Sequence, residues 1–401
     1  MKKQILFIIL AVIASAFVSC KKDTTVPALI VTGQNNSHDW QASSPVLKQI
    51  LDNSGIFRTE IIMTPGKGED MSSFLPNFSK YKLILIDYEG DPWPEKTNNA
   101  FVDFVKNGGG VVIYHSSSIS FPEWKEYNEI AGVGGWGGRN EKSGPYVYYR
   151  NNKLVTDTAA GEAGYHGERR EFVVRTRISD HPVTKGLPAR WIHGNDELYS
   201  LLRGPAKNME ILATAFSDTV GGGTMRDEPV LMTIRYGNGR IFHTALGHSE
   251  KDGGPAMHCA GFIVTLQRGA EWAATGEVTQ KVPFDFPSAA GVVMRNNYKE
   301  LSLEEALNNL VSYDAGKSTR SLTCLQHHIR NNAGNSQELL KVEQMMTKVL
   351  TNADASIESK KLILRELSWM GSDYSVETLK SLAADEMLKD EALFALERMG
   401  K

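Results

Sequence analysis

Five histidines and one acidic pair are the residues best suited to chemistry: His38, His115, His166, His181 and His248, with Asp196-Glu197. Imidazole titrates near neutral pH and serves as general acid, general base or metal ligand, and a carboxylate supplies its complement. His115 closes the apolar run GVVIY and is followed by three serines. A titratable group at the carboxyl end of a buried strand sits where open α/β sheets bind ligands; the plainer alternative is a histidine hydrogen-bonded at a strand end. His38-Asp39-Trp40 follows the first apolar run, beside Asn35 and Asn36. There histidine and carboxylate can fix sugar hydroxyls while tryptophan offers a platform for a pyranose face, although loop capping with a buried Trp40 explains the same residues.

His166 precedes the strand-like EFVVRTR, and Asp180-His181-Pro182 follows it. A turn accounts for the Asp and Pro there but does not require the histidine. Asp196 and Glu197 are adjacent, and neighbours in an extended chain face opposite sides. One carboxylate is therefore expected in a cleft, and we favour Glu197. His115 and Glu197 form the expected acid–base pair, with His38, Asp39, Trp40, His166, His181, Asp196 and His248 as expected substrate contacts. The same donors, His115, His166, His181, Glu197 and His248 together with His38, suffice for a zinc-like divalent ion. No HExxH or cysteine-cluster spacing accompanies them, so a metal-free carbohydrate site stays open beside the metal site.

These residues need a frame. From Ala28 the runs ALIVT, EIIMT, KLILID and GVVIYH alternate with helical stretches at Pro45–Asn53 and Glu95–Asn107. Short apolar runs separated by helices predict buried parallel strands with crossover helices, hence a doubly wound, mostly parallel α/β sheet. The Gly- and aromatic-rich segment from Trp136 to Arg177 reads as an insertion over that sheet, and Gly237-Asn238-Gly239 as a hairpin turn. The segment Ala260–Thr275 reads as a closing helix. Residues 281–298, with two prolines and no usable period, are expected to be a linker after an α/β domain spanning 27–280. Residues 299–401 change to apolar spacings of three and four, which predicts a small all-α, HEAT-like repeat domain.

The N-terminus has two lysines, an apolar stretch and Ser19-Cys20, the pattern of a lipoprotein signal peptide over 1–20 with Cys20 as the lipidated residue. The expected localisation is periplasmic or outer-membrane, with a lipid anchor as the sole membrane contact. Cys259 and Cys324 are too few for a disulfide framework. A net charge of −3 without a basic stripe excludes nucleic acid as an expected partner. GxGxxG, P-loop and GxSxG patterns are missing, which removes dinucleotide, phosphate-loop and nucleophile-elbow readings.

Five segments in order, TGQNNSHDW, GGGVVIYHSSS, SDHPVTKGLP, GNDELYSL and PVLMTIRYGNGRIFHTALGH, resemble the ThuA-like (trehalose-utilisation) family over roughly Ala28–Thr279. The resemblance implies a class I glutamine amidotransferase-like fold. Where that fold carries a cysteine nucleophile, this chain has His115, which disfavours amidase chemistry. It further implies action on a disaccharide or its 3-keto derivative, with a sugar oxidoreductase as pathway partner. Two function classes remain: an enzyme working by acid–base chemistry, and a non-catalytic carbohydrate-binding or assembly lipoprotein.

Overall fold

The computed structural model describes residues 25–35, 37–250 and 254–401, so the expected signal peptide and Cys20 lie outside the described residues. The apolar runs become strands β1 (Val26–Thr32), β2 (Phe57–Met63), β3 (Leu83–Ile86) and β4 (Gly110–Tyr114), joined by helices α1 (Trp40–Asn53) and α2 (Glu95–Lys106). Helix α1 starts before the Pro45 expected to open it. The Asp39 side chain accepts a bond from the Ala42 amide, and Pro45 lies inside the helix, where it removes the i→i−4 bond that the Gln41 carbonyl would otherwise accept.

Helix α3 (Lys125–Ala131) precedes the insertion strands β5 (Tyr146–Arg150), β6 (Lys153–Asp157) and β7 (Arg170–Thr176). Strands β8 (Arg190–Asp196), β9 (Met209–Ser217), β10 (Arg226–Tyr236) and β11 (Gly239–Thr244) follow, then helices α4 (Gly254–His258) and α5 (Ala260–Thr275). The main path of the sheet runs β2-β1-β3-β4-β11-β10-β9-β7-β8. Strands β2, β1, β3, β4 and β11 are parallel. Beyond β11 every pairing is antiparallel. The sheet is thus a mixed one whose doubly wound half is parallel.

All four residues of β3 and all five of β4 are buried, because helices cover both faces. One apolar cluster packs α1 and α5 on one face, with Leu47, Ile50, Phe262 and Leu266 among its members. A second packs α2 and α3 on the other, with Phe101, Val105 and Ile130. Strand order reverses between β1 and β3, so loops after them diverge and open a crevice at the carboxyl edge of the parallel strands.

The stretch expected as a linker is packed rather than free. Phe286 and Tyr298 are buried in the same cluster as α1 and α5. Asp285 and Arg295 form a buried ion pair at 2.6 Å, and the Ile192 amide donates to the Ser288 carbonyl. Its lack of period reflects an irregular strap held by scattered anchors. Helices α6 (Leu303–Val311), α7 (Arg320–Asn331), α8 (Ser336–Thr351), α9 (Ile357–Met370), α10 (Val376–Leu382) and α11 (Lys389–Arg398) then pack around their own apolar cluster, α6 on α7, α8 on α9 and α10 on α11, with α9 also on α11. Among the described residues no helix is long and apolar enough to cross a membrane.

Candidate functional site

Four donors meet at the crevice: His38, His115, Glu197 and His248, with one ligand atom of each within 4.8 Å of the others. Each arrives on a different element. His38 lies in the loop after β1, where the Asn35 side-chain oxygen accepts from the Ser37 and His38 amides and so shapes the turn. Asn35 in turn donates to Ser116 Oγ, tying this loop to the one after β4. His115 is the first residue past β4 and adopts φ +43°, a left-handed conformation that histidine tolerates better than most residues. That sharp turn aims its ring into the crevice.

Glu197 follows β8. Its neighbour Asp196 is fully buried and accepts from His193 at 2.7 Å and from the amides of Glu197, Gly247 and His248. Asp196 thus fastens the end of β8 to the segment after β11, and thereby sets Glu197 against His248. Gly247 is required at this junction: its φ is +106°, and an added Cβ would stand 2.5 Å from the Phe262 ring. Asp87, past β3, is also buried, and accepts from Ser43 and Ser44 at 2.7 Å each, anchoring the start of α1 beneath the crevice. Burial raises its carboxyl to about 6 against the opposing effect of the serine hydroxyls.

Glu197 Oε2 lies 3.2 Å from His248 Nδ1, 3.5 Å from His38 Nε2 and 3.7 Å from His115 Nε2. His166 Nε2 stands 3.8 Å from the other carboxylate oxygen on the exposed side. Burial pushes the Glu197 carboxyl upward, but the close imidazoles of His115, His248 and His38 outweigh it and hold the group well below the usual range. Burial lowers His38 to about 4 despite the Glu197 carboxylate beside it. His115 Nδ1 is 2.7 Å from the Ala245 carbonyl, which can only accept, so Nδ1 carries the proton and Nε2 presents a lone pair when the ring is neutral.

Of the expected site residues, His38, His115, His166, Glu197 and His248 come together. His181 does not. Its Nδ1 accepts from the Val183 amide, and its ring packs on Trp272 near the end of α5. The reason is strand direction: β7 runs against β4 and β11, so its start places His166 at the crevice while its end carries His181 to the opposite edge. Asp39 is the cap of α1, Trp40 is that helix's first residue, and Asp196 serves the framework.

Sequence reasoning missed Tyr199 and Trp136. The buried Tyr199 ring stacks on His115 at 4.2 Å, and its hydroxyl lies 3.2 Å from His38 Nε2. Trp136 packs on Tyr199 at 4.8 Å and lies 6.0 Å from the His166 ring. Glu197 and Tyr199 are two apart, the spacing that puts extended residues on one side, and that signal was available. Trp136 is brought in by the insertion: its amide bonds the Ala163 carbonyl, while Gly164 and Tyr165 pair with Leu201 and Ser200. Ser117 donates to the Ile86 carbonyl and accepts from the Tyr88 amide, a structural role.

A doubly wound α/β domain whose polar crevice opens at the switch point defines the class, that of the glutamine amidotransferase-like fold with histidine after the fourth strand. The chain matches the ThuA family, described as trehalose utilisation, over residues 27–273, and belongs to that family. A solved structure of a putative ThuA-like protein from Parabacteroides merdae is 52% identical, with a TM-score of 0.66, covering 69% of this chain and 99% of that one. A putative ThuA-like protein from Bacteroides uniformis is 19% identical, with a TM-score of 0.42, covering 63% of this chain and 93% of that one. No curated protein matches the chain.

Proposed function

We propose that this protein is an exported, lipid-anchored enzyme of sugar utilisation that acts on a disaccharide or its 3-keto derivative in the cleft around Glu197. The observation that carries the reading is the convergence of the Glu197 carboxylate with three imidazoles, 3.2 to 3.7 Å away, at the carboxyl edge of the parallel strands. A carboxylate set among three imidazoles places groups able to accept and to donate protons side by side, which proton transfer on a bound sugar needs. Trp136 and the exposed His166 stand at the rim, where a pyranose face and its hydroxyls would meet them.

A 3-keto group acidifies the neighbouring C–H, so that enolisation, isomerisation or elimination of the glycosidic oxygen requires a base and an acid close together. Glu197 and His115 are the residues we assign to that chemistry. A partner oxidoreductase would supply the keto-sugar, and Cys20 would hold the protein at the periplasmic or outer membrane. The deciding experiment incubates purified mature protein with trehalose and with 3-keto-trehalose and analyses the products. Release of free sugar or of an isomer or unsaturated product supports the reading; recovery of both sugars unchanged, with saturable binding, makes the protein a binder.

A further inference from the structure

We infer that His38, His115, His248 and Glu197 form a binding site for one divalent transition-metal ion, zinc or a close analogue. The spacing is that of a ligand set. Bonds of about 2.0–2.1 Å from a metal to nitrogen and oxygen put neighbouring tetrahedral ligands about 3.3 Å apart. The separations are 3.1 Å from His115 Nε2 to His38 Nε2, and 3.2, 3.5 and 3.7 Å from Glu197 Oε2 to His248, His38 and His115. The four ligand atoms all fall within 4.8 Å of one another, wider than a closed tetrahedron in places, which leaves room for an added oxygen ligand.

Hydrogen bonding among the four does not account for the arrangement. The Ala245 carbonyl fixes the His115 proton on Nδ1, so the Nε2 lone pair faces inward, toward another imidazole nitrogen and a carboxylate. This outer-shell bond to a backbone carbonyl is the device that orients metal-binding histidines. Among the described residues His248 Nδ1 is buried and, although 3.2 Å from Glu197 Oε2, makes no hydrogen bond of regular geometry. Leaving a buried polar atom unsatisfied costs about 1–3 kcal/mol, which coordination of that nitrogen by a cation offsets.

Three imidazoles and one carboxylate suit zinc and its first-row neighbours, whereas calcium and magnesium favour all-oxygen shells. The four side chains are between 1% and 11% exposed, so the ion would be shielded, and His166, 39% exposed, stays outside as a group able to carry protons. What the ion does in turnover rests on the sugar-utilisation reading: it would polarise a keto or hydroxyl oxygen, and its ligands His115 and Glu197 would then act through it in place of the direct proton transfers assigned to them without an ion. Binding of the ion does not rest on that reading.

The test strips the mature full-length protein with a chelator, then titrates Zn²⁺ and Co²⁺ by calorimetry and follows the visible absorption of Co²⁺. We expect one saturable site per chain, weakened by at least about tenfold to 100-fold in His248→Ala and in Glu197→Gln, since even outer-shell changes cost that much. His181→Ala, at the far edge of the sheet, should bind as wild type does, and circular dichroism should show each variant folded. Wild-type protein that takes up neither ion overturns the inference, as does undiminished affinity in folded His115→Ala/His248→Ala. Metal uptake without turnover of either sugar leaves the metal site standing and removes the sugar reading; turnover by the fully stripped protein supports the sugar reading and removes the ion from the reaction, while the titration alone decides whether the site exists.

Discussion

The 2.7 Å bond from His115 Nδ1 to the Ala245 carbonyl fixes which nitrogen of that ring meets the crevice. The carbonyl belongs to the segment just past β11 and the ring to the turn past β4, two adjacent parallel strands, so the sheet itself sets the tautomer. Replacing His115 by Asn keeps a polar side chain but removes the inward lone pair. Turnover should fall about 10²–10⁴-fold, the usual contribution of an acid–base group, while sugar affinity changes far less. Steady-state kinetics on whichever sugar is a substrate measures this, and unchanged turnover would take His115 out of the reaction.

Asp196 is a positioning residue. Its carboxylate is wholly buried, paired with His193, and bonded to the amides that carry Glu197 and His248. Asp196→Ala would leave His193 without its partner and free the β8 end from the β11 end. Breaking a buried pair from one side costs about 3–5 kcal/mol. Urea unfolding should show that loss, and metal or substrate affinity should fall with it; a midpoint like that of wild type would remove Asp196 from the framework.

How far the sequence disclosed all this depended on strand direction. The parallel half was legible because buried strands such as KLILID and GVVIYH are continuous apolar runs, and His38, His115 and His248 follow parallel strands whose ends share one edge. The antiparallel half was not, since nothing in EFVVRTR says which way β7 runs. Hence His181, which follows β7, was expected at the crevice and lies at the opposite edge of the sheet, against Trp272. Tyr199 carried a usable signal in its two-residue spacing from Glu197, whereas Trp136 escaped because an aromatic side chain within a Gly-rich insertion looks alike whether it lines a cleft or fills a core.

The strap at 281–298 makes a boundary prediction. Phe286 and Tyr298 are buried against the α1/α5 cluster, and Asp285 pairs with Arg295 inside. A chain ending near Leu301 should fold into a cooperative α/β domain without the helices, while one ending at Gln280 should lose several kcal/mol, about 1.5–3 kcal/mol for each large apolar side chain no longer buried. Thermal unfolding of the two truncated proteins distinguishes them, and equal midpoints would show that the strap contributes nothing.

Glu228 offers a pH test away from the crevice. It is 1% exposed on β10, and burial raises its carboxyl to about 7, only partly opposed by the Thr224 hydroxyl that bonds it at 2.7 Å. An acid whose folded value lies above its unfolded value of 4.5 holds its proton longer in the native state. Its contribution therefore favours the native state below the unfolded value and is lost as pH rises from there through about 7, because the unfolded chain has released the proton and the native chain has not. Glu228→Gln keeps the acceptor for Thr224 and removes the titration. Wild-type stability should then fall relative to the variant across that interval, by an amount on the order of 3 kcal/mol when complete, at about 1.4 kcal/mol per unit. Urea midpoints at a series of pH values measure the difference, and parallel curves for the two proteins would show that Glu228 does not titrate in this range.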